Sequence, residues 1–133
     1  EIIKSSDFQD ERLAATMSLG FIGNSKSIPL LNSLLNDDEP NIRWDAAIGL
    51  AKMGEDSSIP TIQSLMDRNY LSTFPELDQN EVTKVILTAI ETTTIIVDQR
   101  FEPLLETLAS SDENLKVRNA AIKTLKFAYN KKT

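Results

Sequence analysis

Histidine and cysteine are both missing from the 133 residues, and the two absences exclude most familiar active sites. Without cysteine there are no disulfides, no thiolate metal ligands and no thiol nucleophile, although the redox compartment stays open. Without histidine the chain lacks the commonest metal ligand and the side chain most often used as a general base near neutral pH. No catalytic, metal-binding or cofactor-binding residue stands out, and the chain is expected to be neither an enzyme nor a cofactor carrier. Long apolar runs are also missing. None approaches the roughly 20 residues needed to cross a bilayer, and the opening Glu1, Ile2, Ile3, Lys4 lacks the build of a signal peptide. Positive charge is scarce, 14 basic against 20 acidic residues for a net charge of -6. That balance disfavours a phosphate backbone as partner. The expectation is a soluble, cytoplasmic, monomeric chain that binds neither membrane nor nucleic acid. Because it starts at Glu1 rather than methionine, it is expected to be a fragment of something longer or a processed product.

What is present is an internal repeat. A shift of 31 residues lays Arg12 to Gly23 over Arg43 to Gly54, and Ser27, Ile28, Pro29 over Ser58, Ile59, Pro60. The phrase returns as Phe101, Glu102, Pro103, Leu104, Leu105 followed by Val117, Arg118, Asn119, Ala120, Ala121. A degenerate copy lies between, where Val82, Ile86 and Ile90 keep the apolar spacing but Thr83 stands in the arginine's place. A period in this range marks a solenoid or array. The pattern predicts an all-α chain of about three and a half helical hairpins in one domain, 1–133. A half repeat covers 1–23, and full repeats cover about 24–54, 55–97 and 98–133.

Each full unit reads as two helices. Pro29 and Pro60 suit a first helical turn, where the missing N–H costs nothing, and Ser27 or Ser58 is placed to cap that turn. In the second helix Ile42, Ala46, Leu50 and Met53 share one face by their spacing. Gly23 and Gly54 are expected to close their helices in the left-handed conformation.

These residues resemble HEAT repeats, in particular the short bacterial variety known from phycobilisome lyases, with an aliphatic-proline start and a Val/Ile-Arg pair opening the second helix. The pair stands as Ile42-Arg43 and Val117-Arg118, weakly as Glu11-Arg12, and as Val82-Thr83 in the divergent unit. The resemblance implies a right-handed α-solenoid, an armadillo-like superhelix. It further implies that acids five residues ahead, Asp7, Asp38, Asp78 and Glu113, form a structural ladder between repeats with Arg12, Arg43 and Arg118. A rung would be missing at Thr83, a place for a bend.

Such solenoids present their second helices on a concave face. Opposite the core stripe, helical spacing places Trp44, Ile48, Ala51 and Lys52, with Leu13, Met17 and Phe21, then Lys84 and Thr88, then Asn119, Lys123 and Phe127 in register. Trp44 reads either as packing between units or as a partner's anchor. A stretch of about nine extra residues within 68–80, carrying Tyr70, Leu71, Phe74 and Leu77, either folds back onto the helices or recognises a partner. After Glu113 only cations occur: Lys116, Arg118, Lys123, Lys126, Lys131 and Lys132. They complement a helix C-terminus, or attract an acidic partner or, more weakly, a nucleic acid.

The function expected is a non-catalytic protein-interaction scaffold holding a protein or peptide through Trp44, Ile48, Lys52, Lys84, Thr88, Lys123, Tyr70 and Phe74. The alternative is a structural arm or spacer of a larger multidomain protein. Less favoured are a bilin-lyase-like enzyme, with Asp45 as a proton-transfer group, and a DNA-binding HEAT-like protein.

Overall fold

The computed structural model describes residues 27–131. Among these there are seven α-helices and no strand: α1 Ile28–Leu34, α2 Pro40–Lys52, α3 Ile59–Ser64, α4 Arg68–Leu71, α5 Gln79–Ile95, α6 Glu102–Ser111 and α7 Leu115–Phe127. Short 3-10 turns at Asp56–Ser58 and Gln99–Phe101 lead into α3 and α6. The chain gathers into two compact units, Glu1–Ile62 and Gln63–Thr133, which part within α3.

In the first unit α1 and α2 form a hairpin. Leu31 and Leu34 of α1 close on Ile42, Ala46 and Leu50 of α2, with Ile28, Leu35 and Met53 packed around them. The predicted stripe is therefore the core of this hairpin. Prolines sit in the first turns of α1 and α2, where their fixed φ matches the helix. Gly54 ends α2 at φ 77°. Its N–H bonds Ala51 O at 2.9 Å and the next N–H, of Glu55, bonds Leu50 O at 3.0 Å, the paired arrangement that terminates a helix in a Schellman motif. A Cβ at Gly54 would meet nothing within 4 Å, so only the positive φ favours glycine there. Gly23 lies outside the described residues.

Serine capping did not turn out as expected. Ser27 has helical dihedrals and makes no side-chain cap bond, because a cap needs an extended residue whose side chain can reach forward. Ser58 belongs to the turn before α3, and its hydroxyl donates backwards to Glu55 O at 2.8 Å. Helix α2 is also buried on more than its predicted stripe: Trp44, Ala47, Gly49 and Ala51 are buried with Ile42, Ala46 and Leu50. A helix apolar on most sides belongs in an interior.

In the second unit α7 packs against both α6 and α5. The buried faces carry Leu105 and Leu108 from α6, Val117, Ala121 and Leu125 from α7, and Val82, Ile86, Ala89 and Ile90 from α5. The extra stretch folds back: it forms the short α4, whose Leu71 is fully buried, and Phe74 stands edge-on to Tyr70 at 5.2 Å between ring centres. Two buried threonines of α5 satisfy their hydroxyls within the helix, Thr92 to Thr88 O and Thr93 to Ile90 O. Tyr129 closes the unit, donating its hydroxyl to Thr93 O at 2.9 Å and accepting the Asp98 N–H at 3.3 Å. Asn130 follows at φ 56°, and the Lys131 N–H turns back to Leu125 O.

Two stability measurements test this packing. Leu50→Ala removes a side chain with no exposure and is expected to cost about 2–5 kcal/mol in denaturant unfolding; an unchanged midpoint would contradict the hairpin core. Tyr129→Phe keeps the ring but orphans the Thr93 carbonyl and the Asp98 N–H, an expected loss of about 0.5–1.5 kcal/mol. Burial raises the Tyr129 pKa above its ordinary value. The wild type should therefore lose this contribution only as the pH rises through that elevated value, and Tyr129→Phe should remove the alkaline step.

Candidate functional site

Ahead of α2 and of α7 the chain makes the same corner. The Asp37 carboxylate accepts the Glu39 N–H at 2.9 Å and the Asp112 carboxylate accepts the Asn114 N–H at 3.0 Å, a turn that aspartate forms readily because its side chain reaches the backbone two residues on. Six residues after each aspartate an arginine clamps the corner. Arg43 donates through Nη1 to Asp37 O at 2.8 Å and Asp38 O at 3.2 Å, and Arg118 donates to Asp112 O at 2.6 Å. The arginines thus grip backbone carbonyls within their own hairpins. It is the carbonyl of Asp38, not its carboxylate, that Arg43 holds.

One carboxylate does form a long-range link in the second unit. Arg68 donates through Nε and Nη2 to the two oxygens of Asp112, at 3.0 and 2.9 Å, a bidentate pair across 44 residues of chain. The Asp112 side chain is only 3% exposed and that of Arg68 15%. Glu113, the acid expected in this role, stands 3.6 Å from Arg68 and is 64% exposed. Burial alone would raise the Asp112 pKa, but the bonds from Arg68 and the Asn114 N–H, with the charges of Arg68 and Arg118, hold it below the ordinary carboxylate range. Asp78 has another job: its side chain accepts the Glu81 N–H at 2.8 Å while Glu81 accepts the Asp78 N–H at 3.0 Å. The unit with Thr83 in place of arginine therefore opens its second helix with a capping box. Asp7 and Arg12 lie outside the described residues, as do Leu13, Met17 and Phe21.

The ladder sequence reasoning missed Arg68 and Asp112. Asp112 carries a readable signal, since Asp37 and Asp112 stand at the same distance ahead of Arg43 and Arg118. Arg68 has no counterpart in the other copies and no such signal. Beside the pair lies a cleft of about 320 Å³, lined by Met66, Leu104 and Leu108 together with Asp67, Arg68 and Asp112. These three charged side chains are engaged in internal bonds, for Asp67 caps α4 and Arg68, paired with Asp112, also reaches Gln79.

The residues expected to meet a partner differ widely in accessibility. Trp44 is 6% exposed and offers a partner almost no surface. Ile48 is half-buried, Lys52 exposed. In the second unit Lys84, Thr88 and Lys123 are exposed and Tyr70 and Phe74 are half-buried, with the Thr88 hydroxyl donating to Lys84 O. Asp45 is partly buried on α2, and burial raises its pKa against the opposing charge of Lys52. Among the described residues no three acidic side chains come together as a metal-ion site.

The Arg68–Asp112 pair yields a pH signature. A carboxylate whose folded pKa is depressed contributes stability that is complete above its unfolded value of about 3.9 and lost as the pH falls through the folded value. Arg68→Met leaves Asp112 buried with less to hold its charge, an expected loss of about 2–3 kcal/mol at neutral pH. Urea midpoints for wild type and variant should differ most near neutrality and converge below about pH 4; a pH-independent difference would exclude the ion pair as its cause. A carboxyl titration by NMR should place Asp98 at about 2, held down first by the side-chain bond from Arg100.

Compared with known proteins, the chain matches the family description HEAT repeats over residues 1–74. This stretch contains the α1–α2 hairpin, α3 and α4. No curated protein and no solved structure matches the chain. More than half of the 133 residues carry the family's pattern, and the chain belongs to the HEAT repeat family.

Proposed function

We propose that the chain is a non-catalytic protein-interaction scaffold that takes a protein or peptide along the outward faces of its second helices, the concave face of a HEAT-like solenoid. The observation that carries this reading is family membership together with accessible polar side chains on those helices. Lys52 on α2, Lys84 on α5 and Lys123 on α7 are all exposed, and none of them makes a salt bridge within the described residues. Each unit has such a face of its own. The composition supports the non-catalytic part, because a chain without histidine or cysteine lacks the usual acid–base and nucleophilic groups.

Within this reading the arginine clamps and the Arg68–Asp112 pair are structural. Trp44 packs in the interior instead of anchoring a partner, and the stretch around Tyr70 and Phe74 braces the second unit. The bacterial subtype suggested by the resemblance, a cytoplasmic location and a monomeric state remain parts of the proposal.

The test is affinity capture from a lysate of the source organism with the wild-type chain and with Lys52→Glu, Lys84→Glu, whose folding is checked by circular dichroism. A protein retained by the wild type and lost by the variant supports the scaffold. Capture of nothing by either would favour a structural arm.

A further inference from the structure

The basic stretch after Glu113 resolves into two groups. Arg118 is committed to the Asp112 carbonyl, and Lys131 lies 3.2 Å from Glu102 and 4.0 Å from Glu106. Lys132 lies outside the described residues. Lys116, Lys123 and Lys126 are exposed, and no acid of the described residues bridges any of them. At about 100° per residue they share an arc of about 100° with Phe127 on the side of α7 away from Val117 and Ala121. Phe127 is 71% exposed, more than any other large apolar side chain described, and Lys126 Nζ stands 5.5 Å from its ring centre. Leu115 at 60% and Ile122 at 36% exposure border the arc.

Compensation of the helix dipole does not explain this arrangement. A cation is favourable in the last turn, where Lys126 stands, but Lys116 occupies the first turn, where the dipole opposes it. Lys123 and Lys126, three apart, repel each other weakly, and α7 contains no acid to offset them. In a chain of net charge -6, an acid-free cationic face interleaved with exposed apolar side chains is matched by an external anion carrying apolar groups of its own.

We propose that the outward face of α7 docks an acidic amphipathic segment of a partner protein, with carboxylates meeting Lys116, Lys123 and Lys126 and an aliphatic side chain seated on Phe127. The proposal rests on the scaffold reading and gives its partner a chemistry. The face runs about 18 Å from Leu115 to Phe127, enough for about three turns of a partner helix. Carboxylates between apolar side chains complement it better than a phosphate backbone, which rewards many cations and no apolar surface. A membrane would require a larger outward apolar area than three separated side chains, and the main apolar face of α7 is already buried.

The test is fluorescence anisotropy with the full chain and four probes: a helix-forming glutamate–leucine peptide, its lysine–leucine counterpart, a single-stranded oligonucleotide, and phosphatidylcholine vesicles containing phosphatidylserine. The glutamate–leucine peptide should bind and its counterpart should not. Lys116→Glu, Lys123→Glu should weaken binding by about tenfold or more, Lys116→Arg, Lys123→Arg should retain it, and Phe127→Ala should weaken it without altering the salt dependence. The proposal is overturned if peptide binding is absent or indifferent to these changes. It is equally overturned if the oligonucleotide or the vesicles bind more tightly through the same lysines, or if sedimentation shows the face occupied by a second copy. A lysate partner that survives the α7 changes but is lost with Lys52→Glu, Lys84→Glu would leave the scaffold standing and remove only this surface.

Discussion

The arginine that reaches back to its own corner governs the geometry of two hairpins. A corner between antiparallel helices leaves backbone carbonyls pointing away from any helical partner, and buried polar groups must be satisfied. Arg43 and Arg118 satisfy them with a charged donor, while the aspartate at the start of each corner binds the N–H two residues later. With the corner fixed, the second helix leaves at a set angle and brings its apolar stripe to the first. In the hairpin of α1 and α2 this seats Ile42, Ala46 and Leu50 on Leu31 and Leu34. The unit that lacks the arginine fixes the start of its second helix by other means, the Asp78–Glu81 capping box, which satisfies backbone N–H groups and leaves carbonyls untouched.

Much of this was legible in the sequence, for a physical reason. Helical spacing reports which side of a helix is apolar, and the core of the first hairpin follows from Ile42, Ala46, Leu50 and Met53. Proline in a first turn and glycine after a last turn are tied to backbone dihedrals, so Pro29, Pro60 and Gly54 mark helix ends. Spacing does not report what lies against the opposite side. That is why Trp44 and Ala51 stood with Lys52 on an outward face in the sequence, while in the fold only Lys52 is exposed.

The ladder shows the same boundary at the level of single atoms. The family resemblance implied arginines paired with acids, and Arg43 and Arg118 do act at the corners, on backbone carbonyls. Whether a guanidinium takes a carboxylate or the carbonyl beside it depends on a rotation of the chain that residue order does not encode. The bidentate partner of Asp112 comes from 44 residues away, out of a stretch unique to one unit, and no self-comparison could have found it. The candidate binding surface was half visible: the run of cations could be read, but sorting committed from available charges required the positions of Glu102, Glu106 and the Asp112 carbonyl.

The links from Arg68 to Asp112 and from Tyr129 to Thr93 bear on how the second unit acquires its order. Helical hairpins whose contacts are local fold quickly and can form one at a time. These two ties join the segment at α4 to the corner before α7, and the end of the chain to the end of α5, so neither exists until the intervening helices are in place. Closing so long a loop adds little entropy cost beyond closing a short one, and the bonds gained appear together. The second unit is therefore wired to assemble and open as a block, a small island of all-or-none behaviour in a family built for piecewise growth.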